Sequence, residues 1–220
     1  MRFNNIFFDL DGTLTDPGEG ITNSVAYALK KFGIEAESRE KLNLFIGPPL
    51  IDSFMRYYDL SHSDAVKAVE YYREYFGPRG LYENELFDGI IELLSDLKKA
   101  GKKLYLATSK PEPYAARIVR HFGIDKYLDG LYGSTMTEAR TKKDEVIAYA
   151  LDETKIDKTD VIMVGDRHHD IDGAKKNQLL SVGVLFGYGS REELLEAGAD
   201  YIADTVDELR HILMGENENE

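Results

Sequence analysis

Apolar runs and amphipathic stretches alternate along the second half of this chain. Short apolar runs at 103–107, 160–164 and 181–185 are each followed by a stretch whose apolar residues recur at helical spacing. Strands that alternate with helices in this way predict a parallel α/β sheet. Because the strands are apolar and rich in β-branched residues, we expect the sheet to be buried on both faces.

The first third of the chain has a different pattern. One apolar run at 6–8 reads as a strand, and helical periodicity then predicts helices at 20–32, 38–45, 49–58 and 63–76 with no strand between them. Gly47-Pro48-Pro49 interrupts this stretch. We therefore expect an all-helical module inserted after the first strand of the sheet.

Two carboxylates, separated by a single residue, follow the first predicted strand. Asp9 and Asp11 end the apolar run, and Gly12-Thr13 follows at once. On a strand, residues two apart face the same side, and two like charges in one place need a cation or a shared proton. A plain Asp-Gly turn is the alternative, since both residues are common turn formers.

Two further strand ends carry polar residues that suit the same chemistry. Thr108 and Ser109 follow the strand at 103–107, and Asp166 follows the strand at 160–164 with Asp170 one helical turn later. In parallel sheets the ligand crevice lies at the carboxyl ends of the strands. Carboxylates suit a hard ion, Mg²⁺ before Zn²⁺, and hydroxyls near a helix start suit a phosphate.

The amino-acid composition excludes several kinds of site and partner. The 220 residues include no cysteine, which excludes disulfides, thiolate zinc sites and cysteine nucleophiles. The net charge is −13 and no basic run stands out, so we expect neither nucleic acid nor an anionic membrane as a partner. No apolar run could span a bilayer and no signal peptide is evident, so we expect a cytoplasmic protein.

These motifs together resemble a known family. The segments 9–14, 108–109 and 165–170 are similar to the first, second and fourth motifs of the haloacid dehalogenase superfamily, in the expected order. The closest resemblance is to its phosphoglycolate phosphatase-like branch. The resemblance implies a Rossmann-like, doubly wound parallel α/β core at 1–16 and 84–214 and a helical cap at 17–83. We expect residues 215–220 to form a disordered acidic tail.

The resemblance also implies a role for each motif residue. Asp9 would be the nucleophile that forms an aspartyl-phosphate, and Asp11 would protonate the leaving group and then activate water. Mg²⁺ would be bound by Asp9, the backbone carbonyl of Asp11, Asp166 and Asp170, the last directly or through water. Thr108 and the Ser109 amide would hold the transferring phosphoryl group.

The family also uses a lysine from the start of a helix. Lys143 is the first choice for this phosphate-binding lysine, because it lies two residues before Glu145 and the apolar face that begins at Val146. Lys142 is the alternative, and Lys110 is a third cation near the motifs. A lysine on a solvated helix start would serve no such role.

Other segments support weaker hypotheses. His168-His169 could suggest a zinc site, but adjacent histidines do not easily point both rings at one ion. The loop Gly47 to Leu50 resembles the substrate-facing loop of the family's cap. The loop Gly187 to Ser190 follows a strand but lacks a dinucleotide fingerprint, so we interpret it as a connecting loop.

The predicted function is a Mg²⁺-dependent phosphatase acting on a small phosphorylated metabolite, namely phosphoglycolate, a nucleotide or a sugar phosphate. Dehalogenation is disfavoured because Asp11 is present and a halide needs no proton. A β-phosphoglucomutase-like transferase is the second choice, because the segment 16–33 lacks the histidine that mutases of the family use. An inactive scaffold is the third. Both a monomer and a homodimer fit the sequence.

Overall fold

The chain folds into two compact units. The computed structural model describes residues 3–36, 38–137 and 139–215. The first unit comprises Met1–Thr15 and Leu86–Glu220, and the second comprises Asp16–Glu85. The assignment of the second unit as a cap remains a prediction. Of the predicted acidic tail, residues 216–220 lie outside the described residues.

The first unit is built on a six-stranded parallel sheet. Its strands lie in the order β5-β4-β1-β6-β7-β8, and β1 pairs with β4 on one side and β6 on the other. Helices flank the sheet, so the predicted parallel α/β fold is confirmed. The strands of this sheet are β1 (Asn5–Phe8), β4 (Lys103–Pro111), β5 (Gly130–Ser134), β6 (Val161–Gly165), β7 (Leu180–Val184) and β8 (Tyr201–Ala203).

Strands and helices alternate along this unit from β4 onwards, as the sequence pattern predicts. Helix α7 buries Lys143, Val146, Ile147, Ala150 and Leu151, which form one stripe at helical spacing. The last four residues of that stripe pack with Phe7 of β1 and Met163 of β6 in one apolar cluster. In the described part of this unit, the α-helices are α5 (Ile90–Lys99), α6 (Glu112–His121), α7 (Lys143–Thr154), α8 (His168–Lys176), α9 (Arg191–Ala197) and α10 (Val206–Met214).

The second unit is helical, as its sequence pattern predicts. Its interior is aromatic and aliphatic, with Phe45 and Phe54 in an edge-to-face contact at 4.9 Å between ring centroids. Helix α1 packs closely on the turn at residues 76–80, where a Cβ on Gly20 would lie 1.8 Å from the Gly80 carbonyl oxygen. The helices are α1 (Gly18–Lys31), α2 (Arg39–Leu42), α3 (Leu50–Tyr58) and α4 (His62–Tyr75).

Two short strands mark the places where the chain passes between units, β2 (Thr15–Asp16) and β3 (Glu85–Leu86). Strand β4 runs further than its apolar run at 103–107 predicts. It continues to Pro111, and its register with β5 shifts between Thr108 and Pro111.

Within the described residues, no helix combines the length and apolar character needed to cross a membrane.

Candidate active site

The sheet order brings the three predicted motifs to one edge. Strands β4, β1 and β6 are neighbours, and Asp9 continues the ladder after β1 by donating its amide to the Val164 carbonyl at 2.9 Å. Asp166 directly follows β6, and Thr108 lies near the end of β4. The carboxyl ends of parallel strands therefore supply all three motifs, which is where α/β sheets bind ligands.

Three buried carboxylates form a compact cluster at this edge. One oxygen from each of Asp9, Asp166 and Asp170 lies within 4.8 Å of the others, and the three residues are at most 5% exposed. Asp170 reaches the cluster from the first turn of α8, where its side chain accepts a hydrogen bond from the Arg167 amide at 3.1 Å. A Cβ on Gly165 would lie 2.2 Å from the Asp170 carboxyl carbon, so only glycine fits there.

Lys143 is the cation that joins this cluster. Its Nζ lies 2.7 Å from Asp9 Oδ1, 2.7 Å from Asp170 Oδ1 and 3.1 Å from the Ala107 carbonyl oxygen. The side chain is buried because Lys143 begins the inward-facing stripe of α7. Lys142, the alternative from the sequence, lies before the first turn of α7, and its amide donates to Glu145 Oε2 at 3.2 Å.

Burial and mutual contact shift the pKa values of the residues in this cluster. Burial and the neighbouring charge of Asp170 raise the pKa of Asp166 well above its ordinary range. Burial also raises the pKa of Asp170 to about 6, although Lys143 opposes the rise. Burial acts to lower the pKa of Lys143, but attraction to Asp170 and Asp9 outweighs it and the pKa is raised. Three buried carboxyl groups thus face one lysine, and their full ionisation needs further positive charge.

Asp11 pairs with a different lysine. Its Oδ2 lies 2.5 Å from Lys110 Nζ, and both side chains are largely buried. Burial raises the pKa of Asp11, and the charge of Lys110 opposes this rise. Asp11 Oδ1 is buried and has no hydrogen-bond partner among the described residues. The two carboxylates that the sequence places one residue apart therefore have separate cationic partners.

The two phosphate-binding candidates of the second motif lie on the extended end of β4. Thr108 is buried, its hydroxyl oxygen accepts from the Lys110 amide at 3.2 Å, and Ser109 is half-buried. Helix α6 begins at Glu112, so these residues precede the helix rather than start it. Ala107, whose carbonyl oxygen meets Lys143, places Thr108 one residue from the carboxylate cluster.

The glycine-rich loop at residues 187–190 contacts Asp166. The sequence did not reveal this contact. The Tyr188 amide donates to Asp166 Oδ2 at 2.8 Å, and a Cβ on Gly189 would lie 1.9 Å from the Asp166 carbonyl oxygen. Gly12, at φ +82°, would bring a Cβ to 2.2 Å from the same Asp166 Oδ2. The loop connects β7 to α9, as predicted, and it also packs on the site. Its position after a parallel strand was the available signal.

Glu193 binds Arg167 and His168, at the start of the segment that contains the His pair. Its Oε1 accepts from the His168 amide and from Arg167 Nε, both at 2.9 Å, and lies 2.7 Å from His168 Nδ1. Burial acts to raise the pKa of Glu193, but these hydrogen bonds outweigh it and lower the pKa to about 2. His168 is thus engaged by a carboxylate at the start of α8, and no sequence signal marked Glu193.

The donor set of the cluster fits a hard divalent cation. Within residues 3–36, 38–137 and 139–215, the acidic and histidine side chains that could share an ion are Asp9, Asp166 and Asp170. All three offer carboxylate oxygens, which suit Mg²⁺ better than a soft metal. The burial of three carboxyl groups beside a single lysine also favours a cation there.

A family comparison agrees with this geometry. The family model described as haloacid dehalogenase-like hydrolase matches residues 6–184. The chain belongs to this family. The match spans the three motifs and the lysine at the start of α7, so the membership predicted from the motifs is confirmed. This haloacid dehalogenase-like hydrolase is accordingly an enzyme of the hydrolase class.

Curated relatives cover nearly the full length of this hydrolase. A protein named 5'-nucleotidase from Pseudomonas aeruginosa is 45% identical over 97% of this chain and 96% of its own length. Tyrosine-protein kinase PtkA from Mycobacterium tuberculosis is 40% identical over 94% of this chain and 72% of its own length. A phosphoglycolate phosphatase from Vibrio parahaemolyticus is 27% identical over 94% of this chain and 95% of its own length.

A solved structure is similarly close to this hydrolase. The crystal structure of a predicted phosphatase from Clostridium acetobutylicum has a TM-score of 0.96 and 47% identity, and the match covers 98% of this chain and 100% of that one.

Proposed function

We propose that this hydrolase is a phosphatase that cleaves a small phosphomonoester through an aspartyl-phosphate on Asp9. The observation that supports this most strongly is the contact of buried Asp9 with Lys143 at 2.7 Å, beside Asp166 and Asp170. A carboxylate nucleophile must approach an anionic phosphoryl group, and this cluster has cationic charge and a fitting metal site to offset the repulsion.

The reaction has two balanced steps. Asp9 attacks phosphorus, the bond from phosphorus to the leaving oxygen breaks, and Asp11 gives that oxygen a proton. Asp11 then takes a proton from water as the water oxygen attacks phosphorus. The bond from phosphorus to Asp9 breaks, and inorganic phosphate leaves with the carboxylate restored. Asp11 thus returns to its protonated form for the next turnover.

The other site residues bind the phosphoryl group and the metal. Lys143 balances charge on Asp9 and on the transferring group, and Thr108 and the Ser109 amide donate hydrogen bonds to its oxygens. Asp9, the Asp11 carbonyl, Asp166 and Asp170 would hold Mg²⁺. When bound, this ion supplies positive charge that stabilises the phosphoryl oxygens.

Nucleoside 5′-monophosphates are the first substrates to test, because the 45% identical relative is named 5'-nucleotidase. The experiment measures phosphate release from a panel of nucleotides, phosphoglycolate, sugar phosphates and pyrophosphate, with Mg²⁺ or with EDTA. Asp9→Asn protein, purified in parallel, is the control for contaminating phosphatase. Release that depends on both Asp9 and Mg²⁺ supports the proposal, and equal release by Asp9→Asn protein contradicts it.

A second candidate is transfer of the phosphoryl group to a hydroxyl other than water. The 40% identity to a protein named tyrosine-protein kinase supports testing it. The protein is incubated with radiolabelled ATP and a tyrosine-containing peptide, and labelled peptide is compared with free phosphate. Peptide that is labelled faster than phosphate is released would favour transfer.

A mutase is tested with β-glucose 1-phosphate and a trace of the bisphosphate. Formation of glucose 6-phosphate faster than free phosphate would favour it.

A further inference from the structure

The irregular end of β4 directs the side chain of Lys110 towards the carboxylates of the site. Lys110 lies within the register shift between Thr108 and Pro111, and its amide donates to the Thr108 hydroxyl at 3.2 Å. Gly133 on β5 permits this irregularity, because a Cβ there would lie 2.6 Å from the Lys110 carbonyl oxygen. Irregular strand ends of this kind re-aim side chains, often beside active sites.

The two buried lysines of the site divide the carboxylates between them. Lys143 contacts Asp9 and Asp170, whereas Lys110 contacts Asp11 at 2.5 Å. Lys110 is 8% exposed, so its ammonium group is held in a site of low dielectric rather than in solvent. A buried ion pair with good geometry fixes the orientation of both side chains.

The contact engages one oxygen of the Asp11 carboxylate and leaves the other without a hydrogen bond from the described residues. Oδ2 lies against Lys110 Nζ, and Oδ1 is buried without a hydrogen-bond partner among residues 3–36, 38–137 and 139–215. We propose that Lys110 is a positioning residue that fixes the orientation of the Asp11 carboxylate, and through it the exchange of the proton with the leaving oxygen and with water. This inference rests on the proposed function, in which Asp11 is the acid and base.

The test uses leaving groups that differ in their need for a proton. p-Nitrophenolate leaves without one, whereas phenolate leaves faster when protonated. In Lys110→Met, we expect kcat/KM for phenyl phosphate to fall about 100-fold and that for p-nitrophenyl phosphate to fall less than about fivefold. Values of kcat/KM report the step in which the leaving group departs, so slow dephosphorylation does not mask the difference.

Lys99→Met is the matched control. Lys99 is also paired with an aspartate, Asp96 at 2.9 Å, but its side chain is 73% exposed on α5. We expect this variant to hydrolyse both substrates at the wild-type rate. An equal fall of Lys110→Met on both substrates would overturn the proposal, because a general loss of structure or of phosphoryl binding acts on both. An unchanged phenyl phosphate rate would also overturn it.

A double-mutant cycle keeps the inference testable if Lys110→Met alone folds poorly. Removing Lys110 leaves Asp11 as an unpaired buried charge, whereas Lys110→Met combined with Asp11→Asn leaves none. If Lys110 acts through Asp11, the double variant should hydrolyse phenyl phosphate as fast as Asp11→Asn does. A further fall of about tenfold or more in the double variant would show a direct role of Lys110 and overturn the inference.

The cycle also separates this inference from the proposed function. If Asp11→Asn hydrolyses phenyl phosphate at the wild-type rate, Asp11 is not the acid and the proposed function fails. If Asp11→Asn is slow and Lys110→Met is not, the proposed function stands and the positioning role of Lys110 is wrong.

Discussion

The two units of the chain bury polar side chains of different kinds. In the described part of the helical unit, 16–36 and 38–85, the buried polar side chains are the hydroxyls of Thr22, Ser24 and Ser53. The α/β unit buries charged side chains, namely Asp9, Asp11, Lys102, Lys110, Lys143, Asp166 and Asp170. A buried hydroxyl needs one hydrogen bond, whereas a buried charge needs a partner of opposite sign.

The buried hydroxyls of the helical unit contribute to the stability of the fold, whereas the buried charges of the α/β unit could also bind an ion or react. Ser24 Oγ donates to the Gly20 carbonyl at 2.6 Å within its own helix, whereas Ser53 Oγ has no hydrogen-bond partner among the described residues. Neither hydroxyl draws a charged partner from another element. The carboxylates at the sheet edge are offset by Lys143 and Lys110 from other elements, and the offset is incomplete. Charge of this kind is retained at sites that bind ions or react. Four predictions test this contrast.

The largest effect is expected at the lysine of the carboxylate cluster. Lys143→Met removes the charge beside Asp9 and Asp170 and should lower kcat about 10²- to 10³-fold, the range for losing one group that stabilises a transition state. Lys142→Met is the matched change one residue away and should have little effect on kcat. Steady-state phosphate release measures both. A large loss in Lys142→Met with a small loss in Lys143→Met would reverse the assignment.

Mg²⁺ should stabilise the α/β unit through the same cluster. At about 100 times its dissociation constant, an ion that binds only the folded protein adds about 2.7 kcal/mol to the free energy of unfolding. Thermal unfolding in Mg²⁺ and in EDTA measures this shift, and Asp166→Asn should abolish it. A wild-type Tm that is the same in Mg²⁺ and EDTA would contradict the metal assignment.

A charge cluster at the start of β4 should contribute less, with a defined pH dependence. Burial acts to raise the pKa of Asp129, but hydrogen bonds from Lys98, the Leu104 amide and Lys103 outweigh it and lower the pKa. The stabilisation is therefore present above the ordinary aspartate pKa and is lost as the pH falls through the lowered folded-state pKa.

Asp129→Asn should therefore cost about 1 kcal/mol in the free energy of unfolding near neutral pH. The difference between wild type and variant should close in acid. Urea unfolding at several pH values measures it. A difference that stays constant from neutral pH to below the ordinary aspartate pKa would show that packing, rather than charge, is responsible.

The smallest effect is expected in the helical unit. Ser24→Ala removes one hydroxyl whose acceptor is a helix carbonyl, so the free energy of unfolding should fall by about 1 kcal/mol or less. Neither kcat nor the response to Mg²⁺ should change. A loss of kcat comparable to that of Lys143→Met would remove the contrast between the two units.

The sequence predicted the parts of the site that follow strand ends. Asp9, Thr108 and Asp166 each follow an apolar run, and parallel strands bring such positions together. Lys143 was also within reach, because helical spacing places it on the same stripe as Val146 and Ile147. Bounds of β4 and α2 were less accurate, since local patterns do not encode register shifts or short helices.

Residues that act through tertiary contacts were not predicted. Glu193 meets Arg167 and His168 from a different helix, and the Tyr188 amide meets Asp166 from a loop after β7. Such contacts depend on the distance between elements in the fold rather than along the chain. The pairing of Lys110 with Asp11 likewise depends on the irregular end of β4.

The location of the phosphoryl group during turnover decides whether Asp9 is the nucleophile. Asp11→Asn protein, which should be slow to hydrolyse the intermediate, is mixed with p-nitrophenyl phosphate and Mg²⁺, quenched in acid and digested for mass spectrometry. We expect a phosphorylated peptide with the modification on Asp9, and we expect no such peptide from the double variant that carries both Asp9→Asn and Asp11→Asn. Turnover without a phosphorylated Asp9, or with the group on another residue, would contradict it.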